Sequence, residues 1–314
     1  MTSLSPRALC LLLWSLPLAA LAAPFAYVPN EGSATLSVID TATDQVVASI
    51  PTGQKPRGTV VSPDGKTAYI SNQPNTVAVV DLQARRQTGA LAVGDSPEGI
   101  GMSVDGRWVA VAVEEDNEVV FLDTRTRRKI FVVPTRGKNP EHAVFSPDGR
   151  LVFVSAEEGG AVDVIDFAKH TVVAQIEVGG RPRGIGFSPD GQRAYVAAET
   201  ASEVFVIDTR TFAVLAQVKA GLRSNGVTAH PDGKRVFISN GGDASVSVLD
   251  TATNTITATI GVGQRPWNMA LTPDGKKLYV ACGRSGVVSV IDTDRNIKLT
   301  DIAVGKLPWG VAIR

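Results

Sequence analysis

Apolar residues in this chain come in short bursts. Runs such as "AYVAAE" (194–199), "EVFVID" (203–208) and "FAVLAQV" (212–218) are rich in Val, Ile and aromatics, which is the composition of strands rather than helices. Polar punctuation separates them. In Ser-Pro-Asp-Gly, proline presets φ at the second turn position and glycine supplies a positive φ at the end, which predicts a tight hairpin. Segments such as "DTATN" (250–254) predict a second kind of turn, closed by the Asp carboxylate on nearby backbone N–H groups.

This grammar repeats. The Asp-Gly turn occurs as "SPDG" at Ser62, Ser146 and Ser188, "SVDG" at Ser103, "HPDG" at His230 and "TPDG" at Thr272, spaced 41 to 43 residues apart. An apolar pair closed by Asp recurs at Asp40, Asp81, Asp123, Asp166, Asp208, Asp250 and Asp292. Gly-x-x-Pro starts at Gly53, Gly94, Gly137, Gly179, Gly263 and Gly305, with "GLRS" at Gly221 as its variant. Self-similarity at this period is a signature of propeller blades. Each unit supplies four antiparallel strands: an inner one after Gly-x-x-Pro, a second after the Asp-Gly turn, a third ending in Ile-Asp and an outer one ending in Val-Gly.

The arithmetic predicts an all-β, seven-bladed β-propeller. Six complete units run from about Arg57 to Ile302, leaving an inner strand at Leu307–Arg314 and three outer strands at Phe25–Ile50. Joined, these make the seventh blade, so pairing of the two termini closes the ring and removes its open edges.

The first 22 residues have the pattern of a secretory signal peptide: Arg7, an apolar stretch from Ala8 to about Leu16, then small residues at Ala20 and Ala22. The expectation is cleavage after Ala22 and a single propeller domain over residues 23–314, exported without a lipid anchor to the periplasm of a Gram-negative bacterium. Arg7 and Cys10 leave with the leader, so the exported chain has a net charge near −1 and one cysteine, Cys282, which excludes an intramolecular disulfide. A chain so balanced has no global field to gather nucleic acid or anionic membrane.

These repeats resemble the YVTN-type β-propeller family over essentially all of residues 23–314. The signature tetrapeptide survives as "YISN" at Tyr69, "YVAA" at Tyr195, "YVAC" at Tyr279 and "FISN" at Phe237. With the opening "AYVPNEGSATLSVIDTATDQVV", the chain is similar to exported seven-repeat members that accompany pyrroloquinoline-quinone-dependent alcohol catabolism and its transport genes. That resemblance implies a non-enzymatic binding propeller whose partner is a periplasmic quinoprotein dehydrogenase, a cytochrome or a transporter component, or else a small ligand.

Function is expected where the repeats differ. Directly after Gly-x-x-Pro, at the mouth of the central channel, the seven blades present Arg57, Glu98, Glu141, Arg183, Asn225, Trp267 and Trp309. The next position is glycine in five blades, but His142 and Asn268 in the other two. Trp267 and Trp309 read either as a channel plug, packed on each other, or as an aromatic platform for a planar ligand or protein anchor. Glu98, Glu141 and His142, flanked by Arg57 and Arg183, read either as structural ion pairs or as an acid/base cluster around an anionic group. In the second case the chain is a hydrolase similar to propeller lactonases. "EEDNE" (114–118), "EEGG" (157–160) and Glu199 read as an acidic arc, a solvated rim or a surface for a basic partner.

The absences narrow the choice. The three histidines fall on different parts of the repeat and cannot share a metal, and there is no haem-c motif, phosphate-binding loop or Gly-x-Ser-x-Gly elbow. No cofactor is expected. The quinoprotein dehydrogenases use adjacent cysteines and a larger ring, which argues against the dehydrogenase itself. Single-stranded nucleic-acid binding through the tryptophans and ring arginines needs more positive charge than this chain carries.

Overall fold

The structure, a computed structural model, describes residues 24–314; the leader expected over residues 1–22 lies outside the described residues. Strands gather into seven four-stranded antiparallel sheets arranged as the blades of a propeller, as the repeat predicts. Blade 1 holds Phe25–Asn30, Thr35–Asp40 and Gln45–Pro51, completed on its inner side by Ala312–Ile313. Blades 2 to 7 begin with the inner strands Pro56–Val61, Pro97–Met102, Pro140–Phe145, Pro182–Phe187, Ser224–Ala229 and Pro266–Leu271. The ring closes through Ala26 opposite Ile313 and Tyr27 opposite Ala312, with a further bridge from Asn30 to Pro308. No described helix is long and apolar enough to cross a membrane.

Burial follows the repeat. The two middle strands of each blade are packed on both faces, which explains their continuous apolar runs, whereas outer strands such as Gln45–Pro51 are largely exposed. The core is divided into clusters between neighbouring blades. Tyr69, Val77 and Val79 of blade 2 pack on Val109 and Val111 of blade 3, and Val288 and Val290 of blade 7 pack on Ala26 and Val28 of blade 1. Sheet-on-sheet burial around a circle therefore holds the ring, and every blade depends on both neighbours.

The turns work as their residues dictate. In the first Asp-Gly turn Ser62 Oγ donates to Asp64 Oδ1 (2.6 Å) and accepts from Thr67 N (3.0 Å), and Gly65 takes φ +69°. At His230 the imidazole Nδ1 stands in for the hydroxyl, accepting from Asp232 N at 3.2 Å. Threonine after Ile-Asp ties this turn to its neighbour, as when Thr209 Oγ1 donates to Gly191 O at 2.6 Å. Inner-strand glycine is required by crowding at the axis. A Cβ on Gly99 would sit 2.6 Å from Glu141 O of the next blade, and one on Gly226 2.5 Å from Trp267 O.

Candidate functional site at the channel mouth

A β-bulge builds the mouth. In each of blades 2 to 7 the inner strand's pairing breaks just after its first residue: Pro56 faces Asn72, but the ladder resumes at Thr59 opposite Ile70. The same shift recurs between Pro97 and Ile100, Pro140 and His142, Pro182 and Ile185, Ser224 and Val227, and Pro266 and Met269. A bulge re-aims side chains, and here it places Arg57, Glu98, Glu141, Arg183, Asn225 and Trp267 at the axial opening. A serine near the end of the second strand serves the bulge: Ser239 Oγ accepts from Gly226 N at 2.8 Å and Ser155 Oγ from His142 N at 3.2 Å.

A second ring, not anticipated as a site, overlies the first. The residue before each inner strand adopts a left-handed backbone, with φ between 43° and 60° for Lys55, Ser96, Asn139, Arg181, Arg223, Arg265 and Leu307. That conformation is disfavoured for a side-chain-bearing residue, more so before proline. In six of the seven blades its carbonyl accepts from the first residue of the loop after the second strand, as in Glu157 N to Asn139 O and Glu199 N to Arg181 O, both 2.9 Å; Lys55 is the exception. The tie folds those loop residues inward. Glu157 and Glu199 are therefore 5% and 2% exposed rather than part of the solvated acidic arc that their sequence suggested.

The result is a cavity of about 280 Å³ with a strongly polar wall. Arg57, Glu98, Glu141, Arg183, Asn225, Trp267, Asn268 and Trp309 all line it, joined by Glu31, Glu114, Glu157 and Arg181. His142 does not. Its ring stacks on Trp309 (centroids 5.4 Å apart, planes at 22°), its Nδ1 is shut from solvent without a partner, and burial together with Arg183 holds its pKa well below the usual imidazole value. The imidazole is thus a neutral packing partner of Trp309, and its expected place in an acid/base cluster is corrected. The two tryptophans do not pack on each other: Trp267 lies against Gly283, and the Arg265 guanidinium sits 6.0 Å from its ring centre.

The charges fall into two halves. On one side Arg183 binds Glu141 (2.8 Å), Glu199 (3.0 Å) and Glu157, Arg181 reaches Glu157 at 2.5 Å, and Arg265 spans blade 6 to reach Glu199 at 2.9 Å. Blade 6 permits this because Gly241 stands where a Cβ would come within 3.2 Å of Arg265 Nη1. Burial pushes Glu199 up, but Arg183 and Arg265 outweigh it and leave the carboxyl below its ordinary value. Glu157, raised by burial and by Glu141 against the pull of Arg183, is pushed up to about 7.

On the other side Arg57 alone serves Glu98 and, at 3.4 Å, Glu31. Glu98 is lopsided. Its Oε1 accepts from Arg57 and from Gln73 Nε2 (3.2 Å), while Oε2 has no partner. Burial, then the charge of Glu141, pushes Glu98 up to about 9 despite the opposing Arg57. A carboxyl whose pKa is raised on folding binds its proton more tightly in the folded state, so its stabilisation is present at low pH and lost as pH rises. Melting temperature is accordingly expected to fall between about pH 6 and pH 9, and Glu98→Gln to flatten that decline. Calorimetric melts of both proteins across this range check it, and parallel pH profiles would contradict a raised Glu98.

Fold and mouth together define the class: a seven-bladed propeller of four-stranded blades with a polar axial site. Residues 168–304 match the family model "Lactonase, 7-bladed beta-propeller" and residues 25–143 match "Cytochrome D1 heme domain"; neither stretch reaches half the chain. Among solved structures, the chain is similar to Kuenenia stuttgartiensis hydrazine synthase, with a TM-score of 0.80 at 25% identity over 85% of this chain and 92% of that one. A functionally unknown protein from Desulfotomaculum acetoxidans DSM 771 gives a TM-score of 0.79 at 16% identity, covering 92% of this chain and 98% of that one. Dihydro-heme d1 dehydrogenase NirN, in complex with DHE, gives 0.69 at 19% identity over 91% of this chain and 74% of that one. The last two likenesses show the fold alone. No curated protein matches the chain.

Proposed function

We propose that the mouth is the site of a lactonase-like hydrolysis of a small cyclic ester. The observation that carries this reading is a pair of unsatisfied polar atoms in the cavity wall, Glu98 Oε2 and Arg57 Nε, both shut from bulk solvent. A buried polar atom without a partner costs about 1–3 kcal/mol, and a ligand oxygen that meets both atoms removes that cost. Glu98, protonated near neutral pH, and Arg57 are both donors. A carbonyl oxygen that accepts from both would have the negative charge that develops on it during water attack stabilised.

The proton acceptor comes from the opposite half. Glu157, with its pKa near 7, is partly ionised at neutral pH and suited to general-base work. Water oxygen bonds to the carbonyl carbon while its proton passes to the Glu157 carboxylate. The ring carbon–oxygen bond then breaks and the ring oxygen takes that proton, giving a hydroxy acid. The lactonase match spans Arg183, which holds Glu157 and Glu141 in place.

The haem-domain match raises a tetrapyrrole as a second reading, and the residues do not fit it. Haem iron takes an axial His, Cys, Met or Tyr; none of these is among the residues that line the cavity, and His142 outside it is committed to its stack on Trp309. The leader read at residues 1–22 would carry the hydrolytic chemistry to the periplasm. Association with a quinoprotein dehydrogenase, its cytochrome or a transporter component rests on the family resemblance.

Purified protein is expected to open simple γ- or δ-lactones in a pH-stat assay, and Glu98→Gln to lower kcat/KM about a hundredfold with the circular dichroism spectrum unchanged. A folded wild-type protein that turns over no lactone would sink the reading and leave a non-catalytic binding propeller.

A further inference from the structure

The two halves of the mouth differ in how their charge is met. Around Arg183, the carboxylates of Glu141, Glu157 and Glu199 meet the guanidiniums of Arg181, Arg183 and Arg265, so this half is cross-linked and balanced. Around Arg57, three carboxyl groups share one cation. Glu114 has no cationic partner and is held by neutral donors, Ser96 Oγ at 3.2 Å and Asn139 Nδ2 at 3.3 Å. Glu31 reaches Arg57 only at 3.4 Å. Structural ion pairing accounts for the Arg183 half and leaves the Arg57 half in acid excess, with Glu98 Oε2 buried and unpartnered beside it.

We infer that the Glu31 and Glu114 carboxylates on this side of the mouth receive an ammonium group, beside the Glu98 carboxyl that meets the ring carbonyl, so that the ligand is an amine-bearing cyclic ester rather than an anionic one. A metal ion suits the place poorly. No group of three or more metal-ligating side chains stands together among the described residues, and the Arg57 guanidinium lies between Glu31 and Glu98. An ammonium instead offers three directional donors to separate oxygens, and each hydrogen bond to a charged acceptor in a partly desolvated site is worth more than its neutral counterpart. An anionic substituent entering the same side would meet two carboxylates with one guanidinium already engaged. The inference rests on the hydrolytic reading for the cyclic-ester part of the ligand, and on charge alone for the ammonium.

The test uses three non-hydrolysable γ-lactams, one cationic, one neutral and one anionic: α-amino-γ-butyrolactam, unsubstituted γ-butyrolactam and pyroglutamate, bound to the purified protein in a calorimeter near neutral pH. The amino lactam is expected to bind about tenfold or more tightly than the unsubstituted ring, and the carboxylated one most weakly. Added salt should narrow the gap. Glu31→Gln and Glu114→Gln should each cut the amino preference, read as the ratio of amino-lactam to neutral-lactam affinity, several-fold. Pyroglutamate binding as tightly as the amino lactam, a preference that survives both substitutions, or no binding of any lactam would each overturn the inference. Lactone turnover without an amine preference would remove this inference alone; an amine preference without turnover would remove the hydrolase reading alone.

Discussion

Removing Leu307–Arg314 is expected to abolish cooperative folding of the whole chain, or to lower its melting temperature by more than about 15 °C. The eight residues are the inner strand of blade 1 and the link between blades 7 and 1. Five backbone hydrogen bonds go with them: Phe25 N to Arg314 O (2.7 Å), Arg314 N to Phe25 O, Trp309 N to Pro29 O and Glu31 N to Leu307 O, each 3.0 Å, and Asn268 N to Trp309 O at 3.4 Å. At about 1 kcal/mol each, these amount to roughly 5 kcal/mol. Trp309, buried at the axis, contributes about 1.5–3 kcal/mol, and Val311 and Ile313, half-buried against the cluster that joins blade 7 to blade 1, each contribute a part of such a term. The combined loss is comparable with the whole stability of a typical domain, about 5–15 kcal/mol. Cutting the ring also exposes the second strand of blade 1 as a new edge, so aggregation should accompany the loss. Circular dichroism melts and size-exclusion profiles of intact and truncated protein measure both effects, and Ile313→Asp should produce a milder version. A truncated chain melting within a few degrees of the intact one would remove terminal pairing as the lock.

The closure was legible because each strand boundary carries its own chemical marker. Proline opens the inner strand, Asp-Gly separates first from second, Asp ends the third, and a chain with six such sets plus two complementary remnants has one way to close. The first ring at the mouth was legible for the same reason: equivalent positions in equivalent units share a height and a radius. The second ring was only half written. Glu or Gln stands at the start of the loop after the second strand in five blades, at Glu31, Gln73, Glu114, Glu157 and Glu199, and glycine at Gly241 and Gly283 in the other two. That contrast was a signal. Its inward direction was not, because it follows from the left-handed residue before each inner strand, a conformation that Arg181 and Arg265 do not announce. Contacts across the axis were beyond the sequence altogether. His142 and Trp309 belong to blades 4 and 1, and nothing in a repeat unit says which side chains meet over the channel.

Replacing Arg183 by methionine is expected to cost about 3–5 kcal/mol near pH 8, the usual cost of stranding buried charge. Three carboxylates converge on this guanidinium, and its own proton is held more firmly than an ordinary arginine's: burial opposes the charge, but Glu141, Glu157 and Glu199 together outweigh it. After the substitution Glu157 keeps Arg181 and Glu199 keeps Arg265, but Glu141 loses the one cation it touches. Repulsion among the stranded carboxylates is relieved wherever the pH lets them take up protons. Their cost is then small below about pH 4.5 and grows as pH rises. Wild type and Arg183→Met should therefore melt closer together at pH 5 than at pH 8. Arg183→Met combined with Glu141→Gln should recover part of the loss, because the least compensated charge is gone. Chemical denaturation at the two pH values reads the difference directly. Equal stability at pH 8 would mean that these carboxyls are already protonated in the wild-type ring. In that event Glu157 could not serve as the base, and the hydrolytic reading of the mouth would fall with it.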